Sequence, residues 1–157
     1  MLEGPSDEEI EQLLRDAPEE RWRELWDAVA ALDAEPEPGT WAGGQPVDTV
    51  VVDGVSKPVL QMPYVVYSEA VERAIACVYG LGASRPFDWS GWGGDVKYPR
   101  GRGLESAPVA ESIRMITAVV RADRFSEGTI LSCLEDGTLP AAFGRLRRWY
   151  DDERPVS

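Results

Sequence analysis

The chain has no histidine. That excludes Ser-His-Asp and Cys-His catalysis, histidine-ligated metals and any histidine pH switch. Cysteine is scarce. Cys77 and Cys133 stand far apart, form no C-x-x-C pair, and fall in apolar helical contexts, where a free thiol packs as a small hydrophobe. That usage fits a reducing compartment. Lys57 and Lys97 are the only lysines among 16 basic residues, a bias that fits a GC-rich genome better than a binding role. No apolar run approaches the roughly 18 residues a membrane span needs. Residues 1–11 are acidic and lack the apolar core of a secretory signal. A soluble cytoplasmic protein is the expectation. The phosphate loop G-x-x-x-x-G-K-[ST], the dinucleotide fingerprint G-x-G-x-x-G and the nucleophile elbow G-x-S-x-G are also missing. Trp41-Ala42-Gly43-Gly44 and Trp92-Gly93-Gly94 are too short to stand in for a phosphate loop. A metal site would have to be all-carboxylate. None is expected, and neither is a cofactor.

What is present is an ordinary globular composition. The 157 residues are 43% hydrophobic and 28% charged, enough for one domain with a real core. The net charge of −12 is uneven. Residues 1–38 hold 13 acids against Arg15, Arg21 and Arg23, a net −10; the remaining residues hold 15 acids and 13 bases, a net −2. The chain therefore reads as an acidic N-terminal helical arm, 1–38, followed by a globular domain, 39–157. Such a charge balance disfavours nucleic acid, because phosphate contacts need a basic surface.

Ser6-Asp7-Glu8-Glu9 is a capping box opening a helix with Ile10, Leu13 and Leu14 on one side. A second helix, with Pro18 in its first turn, carries Trp22, Leu25, Trp26, Val29 and Leu32 at spacings of three and four. Its tryptophans read as core, or as docking onto the rest of the chain. Residues 35–46 read as loop. Thr49-Val50-Val51-Val52, the turn Asp53-Gly54 and a strand to Gln61 form a small antiparallel hairpin, with Pro58 marking an edge. Ser68 caps a third helix bearing Val71, Ile75, Val78 and Tyr79. The stretch from Leu81 to Ala107 is long and irregular, either an aromatic-pinned loop or a ligand lid. Ser106 caps a helix with the stripe Val109, Ile113, Ile116 and Val120, read as the central buried one. Two shorter helices follow, divided by Gly137. In the last, Ala142, Phe143, Leu146 and Trp149 face inward, and Arg145, Arg147 and Arg148 are available to the acidic arm. Asp151-Asp152-Glu153 reads as a solvated tail.

The densest polar signal is Arg121-Ala122-Asp123-Arg124-Phe125-Ser126-Glu127-Gly128, between two apolar helical segments. Asp123 can cap the following helix through amides two or three residues on. Gly128, placed inside that helix, points to close backbone approach by another element. Arg121 and Arg124 can share a face, as can Asp123 and Glu127. Two outcomes stay open: a structural ion-pair knot with Arg124 partly buried, or a site for a small anionic ligand. Asp88 and Trp89 add an acid and a stacking surface from the long loop. The candidate residues are thus Asp88, Trp89, Arg121, Asp123, Arg124 and Glu127.

Gly43-Gly44, Met62-Pro63-Tyr64, Phe87-Asp88-Trp89, the Arg121–Gly128 motif and Gly137 together resemble a family of uncharacterised bacterial proteins, a domain of unknown function. The resemblance covers roughly residues 40–150 and implies a bacterial or phage source. It implies no activity and no site, and it leaves residues 1–38 as an addition.

The expected fold is α+β and mainly helical, about five or six helices with one small antiparallel hairpin. The leading functional expectation is an accessory or inhibitory protein that binds a protein partner. The alternative is a small-molecule binder or enzyme with an Arg/Asp/Glu pocket for an anionic or polar ligand.

Overall fold

The computed structural model describes residues 3–154. Six helices of seven residues or more make up most of it: α1 (Asp7–Asp16), α2 (Glu19–Asp33), α3 (Glu69–Gly80), α6 (Val109–Asp123), α7 (Thr129–Glu135) and α8 (Thr138–Arg148). Two single helical turns, α4 (Trp89–Trp92) and α5 (Gly94–Lys97), lie in the long connection before α6. The strands are β1 (Gly39–Ala42), β2 (Pro46–Val52), β3 (Val55–Leu60) and β4 (Tyr64–Tyr67). The α+β, mainly helical expectation holds. Among the described residues no helix is long and apolar enough to cross a membrane.

The helices form where the apolar spacing repeats, and they start where a hydroxyl can accept a free amide. Ser6 Oγ accepts from the Glu9 amide (3.2 Å) and Ser68 Oγ from that of Val71 (3.3 Å). Ser106 does not do the same. It closes a 3-10 turn, and Pro108 opens α6 without a side-chain cap. α6 is the central element: Ile113, Met115, Ile116 and Val119 are buried, and α1, α7 and α8 pack around it. Thr117, buried on the same helix, satisfies its hydroxyl on the Ile113 carbonyl (2.8 Å).

The acidic N-terminal helices are part of this core. Ile10, Leu14, Trp22, Leu25 and Ala28 are all essentially inaccessible. Trp22 sits in an aromatic cluster with Trp26, Trp149 and Tyr150, ring centroids 5.1–5.8 Å apart. Their acids do not meet the arginines of α8. Arg145 pairs with Glu153 (2.5 Å) and Arg147 with Asp151 (3.0 Å), whereas Asp7 reaches Arg114 and Glu19 reaches Arg154. Glu153 is therefore not a free tail residue. Arg145 is 7% exposed, and a charge at that depth is costly without a partner.

The expected hairpin is present, with Val52 opposite Val55 across the Asp53-Gly54 turn. It continues further than expected. Residues 35–46 are not all loop: β1 pairs antiparallel with β4, Gly39 opposite Tyr67 and Ala42 opposite Tyr64. Between the two pairs, the Gly44 amide donates to the Gln61 carbonyl and the Gln61 amide to that of Gln45. Residues 39–67 thus form one long two-stranded ribbon. Its root lies on the helical body, and its outer part is exposed at every position of β2 and β3.

Candidate functional site

The ribbon root meets the Arg121–Gly128 junction, and the chemistry there runs through backbone amides. α6 ends at Asp123 and α7 begins at Thr129, leaving the first amides of α7 without helical partners. Asp123 Oδ1 accepts from the Ile130 amide (3.0 Å) and from the Tyr67 hydroxyl (2.7 Å). The Tyr67 oxygen in turn accepts from the Leu131 amide (3.2 Å). Burial first, then the bond to Asp123, pushes the Tyr67 hydroxyl far above its ordinary range. Glu127 Oε1 accepts from the Val65 amide (2.8 Å), fastening β4 to the junction. Gly128 is not inside the helix. It precedes it with φ +86°, and a Cβ there would lie 2.6 Å from the Trp41 ring. The close approach expected of it comes from Trp41 of β1.

This corrects the ion-pair expectation. Arg124 is exposed and Arg121 half-buried, and none of the eight ion pairs among the described residues involves either. The amides of α7 and β4 are desolvated where the ribbon docks, and a carboxylate is their strongest available acceptor. Asp123 and Glu127 turn their carboxylates to meet them, whereas Arg121 and Arg124 make no ion pair there. Asp88 does not reach Arg124 either: it caps α4, accepting from the Gly91 amide (3.1 Å) and the Ser90 hydroxyl (3.2 Å). The long loop still meets the junction, because Trp89 stacks on Phe125 with centroids 5.9 Å apart and planes at 22°. Of the six candidates, Trp89 lines the cavity beside the junction.

That cavity, about 410 Å³, lies between the long loop and α6–α7. Trp89, Trp92 and Tyr98 wall it, and Met115, Val119 and Cys133 are at its floor. Tyr98 is held by a bond from its hydroxyl to Glu111 (2.9 Å), and burial with that bond pushes it up to about 12. Burial, with Asp136 nearby, raises the Cys133 thiol to about 11, so it is a neutral wall group rather than a nucleophile. A second hollow, about 570 Å³, runs between α2 and α8 past Trp26 and Phe143. No group of three or more His, Cys, Asp or Glu among the described residues is placed to share a metal ion.

Exposed apolar side chains concentrate on the ribbon, where sequence reasoning placed no site. Thirteen large apolar side chains are exposed among the described residues, and eleven lie between Trp41 and Val66. Cross-strand pairing puts Val50, Val52, Val55 and Val59 on one face. The edges are closed to further strands at one level. Thr49 and Pro58 are paired; the Thr49 amide is taken by Asp48 Oδ1 (2.7 Å), and Pro58 has no amide to offer. The available signal was the run Val50-Val51-Val52 itself: apolar residues on both faces of a two-stranded element leave at least one face uncovered.

A family model described as a family of unknown function (DUF6508) matches residues 17–152. It takes in α2, so the shared part extends beyond the roughly 40–150 of the resemblance. No curated protein and no solved structure matches the chain.

Proposed function

The chain belongs to this family of unknown function, and from its own geometry we propose that it is an accessory or inhibitory factor acting on a protein partner through the ribbon. The observation that carries the reading is the concentration of eleven exposed apolar side chains on residues 41–66. An exposed apolar patch of this kind marks an interaction surface. The outer hairpin touches little but itself, and a lone two-stranded hairpin is marginal in water, so burial against a partner is worth most there.

Charge narrows the partner. The ribbon carries only Asp48, Asp53 and Lys57, whereas the chain as a whole is at −12. A sparsely charged arm on an acidic body suits an apolar cleft with a basic rim. Two copies of this chain would bring acidic bodies together, which disfavours self-association. The block at the Thr49–Pro58 level favours docking by a face over strand addition.

The test places a photo-crosslinking residue at Val51, and separately at Val96, an exposed valine outside the ribbon. A partner captured from Val51 alone is purified, and its binding is measured directly. Val50→Thr with Val52→Thr should weaken that binding at least tenfold without lowering the melting temperature. Equal capture at both positions, binding untouched by the double variant, or crosslinking only to a second copy sinks the reading.

The alternative, a pocket of Asp88, Trp89, Arg121, Asp123, Arg124 and Glu127 for an anionic ligand, has less support. Asp123 and Glu127 are already bonded to β4, Tyr67 and α7, and Asp88 to its own loop.

A further inference from the structure

We propose that the cavity between the long loop and α6–α7 binds a planar aromatic carboxylate, with Arg100 as the anion-recognising group. This is independent of the ribbon.

The turn Tyr98–Gly101 forms one lip of the cavity, closed by the Gly101 amide on the Tyr98 carbonyl (2.8 Å). Pro99 presets its second position. The third position, Arg100, is left-handed at φ 55°, ψ 29°, where glycine or asparagine is the low-strain residue. Only one other non-glycine residue described has positive φ: Asp53, in a hairpin turn that favours it. Gly101 has a packing reason for its identity, since a Cβ there would lie 2.7 Å from that of Ala141. Arg100 has no such reason. The turn would be less strained without it, and strain of this sort collects at ligand sites.

Its guanidinium is also uncommitted. None of the eight ion pairs among the described residues includes Arg100. Two acids share the lining. Asp136 already accepts from the Thr138 amide (2.9 Å) and hydroxyl (2.7 Å); Asp95 and Arg100 are both exposed, at the mouth of the cavity. The remaining lining is mainly aromatic and aliphatic, with the neutral hydroxyls of Ser90, Thr129 and Thr138 among it. A cavity of about 410 Å³ is in the range of small-ligand sites, apolar with a few polar groups that fix orientation. Trp89, Trp92 and Tyr98 suit a flat ring, and a free guanidinium suits a carboxylate, which it can hold bidentately.

The probes are 2-naphthoate, its neutral amide and 2-naphthylamine, each titrated by calorimetry while the indole N–H signals of Trp89 and Trp92 are followed by NMR. The expected result is saturable naphthoate binding that shifts both indoles, with the amide and the amine weaker by about tenfold or more, the scale of one charge-assisted contact. Arg100→Gly should melt at the same temperature or higher, because the turn relaxes, and should lose that preference. Arg100→Asn, also suited to the turn, repeats the test if the glycine loosens the loop. The proposal is overturned by absence of saturable naphthoate binding, by equal affinity for the amide, or by a folded Arg100 variant that binds as the parent does.

Discussion

The most acidic part of the molecule supplies buried side chains to the core, and one of its least charged parts stands in water. Helices α1 and α2 belong to the segment of net charge −10, yet Trp22, Leu25 and Leu14 are wholly inaccessible. Strands β2 and β3 hold six valines and few charges, yet every residue in them is exposed. Charge content did not decide burial; the arrangement of apolar residues did. A helix with its apolar residues on one stripe can cover that stripe and leave its acids in solvent. A two-stranded ribbon with apolar residues on both faces has no neighbour on either side.

The sharpest way to break this contrast is Trp22→Ala. Removing a fully buried tryptophan from the aromatic cluster should cost about 3–5 kcal/mol, measured by chemical denaturation. If it costs under 1 kcal/mol, the helices are not part of the core. Asp123→Ala comes next. It strips the acceptor from the Ile130 amide and the Tyr67 hydroxyl, and leaving such groups unpaired costs about 1–3 kcal/mol. Amide exchange should rise first at Ile130 and Leu131. Unchanged exchange there would mean that the ribbon root does not depend on this acid.

A smaller effect is expected at Glu153. The Arg145 guanidinium holds its carboxyl below the ordinary 4.5. A lowered folded value means that the pair's stabilisation is present above about 4.5 and lost as pH falls through the lowered value. Glu153→Gln should therefore lower the melting temperature at neutral pH and narrow the gap to the parent in acid. The shift is modest because the carboxylate is partly exposed. Parallel curves across that window would remove the pair from the account. The smallest effect belongs to the ribbon tip: Val51→Thr should change stability by no more than about 0.5 kcal/mol. A larger loss would show that the exposed face is covered in solution.

The helices were legible because their stripes repeat every three to four residues, and the hairpin because Asp53-Gly54 permits one kind of turn. The second strand pair was not, since Gly43-Gly44 and Met62-Pro63 interrupt the ladder and resemble loop. At the junction, Asp123 was legible as a cap, but its amide lies seven residues on because Phe125–Gly128 intervene. Tyr67, 56 residues away, left no local trace. The charges of Arg121 and Arg124 were visible, but their direction was not: which side chains turn inward depends on where the ribbon docks. The long loop touches the junction through Trp89 on Phe125, not through Asp88.

The aromatic cluster sets an order of events during folding. Its partners are distant in the chain: the Trp149 indole donates to Glu11 across 138 positions (3.2 Å). The ribbon closes on itself across a two-residue turn and can form early, whereas the contacts of α2 with Trp149 and Tyr150, just past α8, span most of the chain. Closing so long a loop is slow more than it is costly, since each doubling adds only about 0.6 kcal/mol. On a growing chain, α2 is complete long before α8 exists. Its tryptophans wait through that interval uncovered, flanked by the acids that keep such a helix dispersed. The charge that contributes little to the finished core thus has its use before the core is closed.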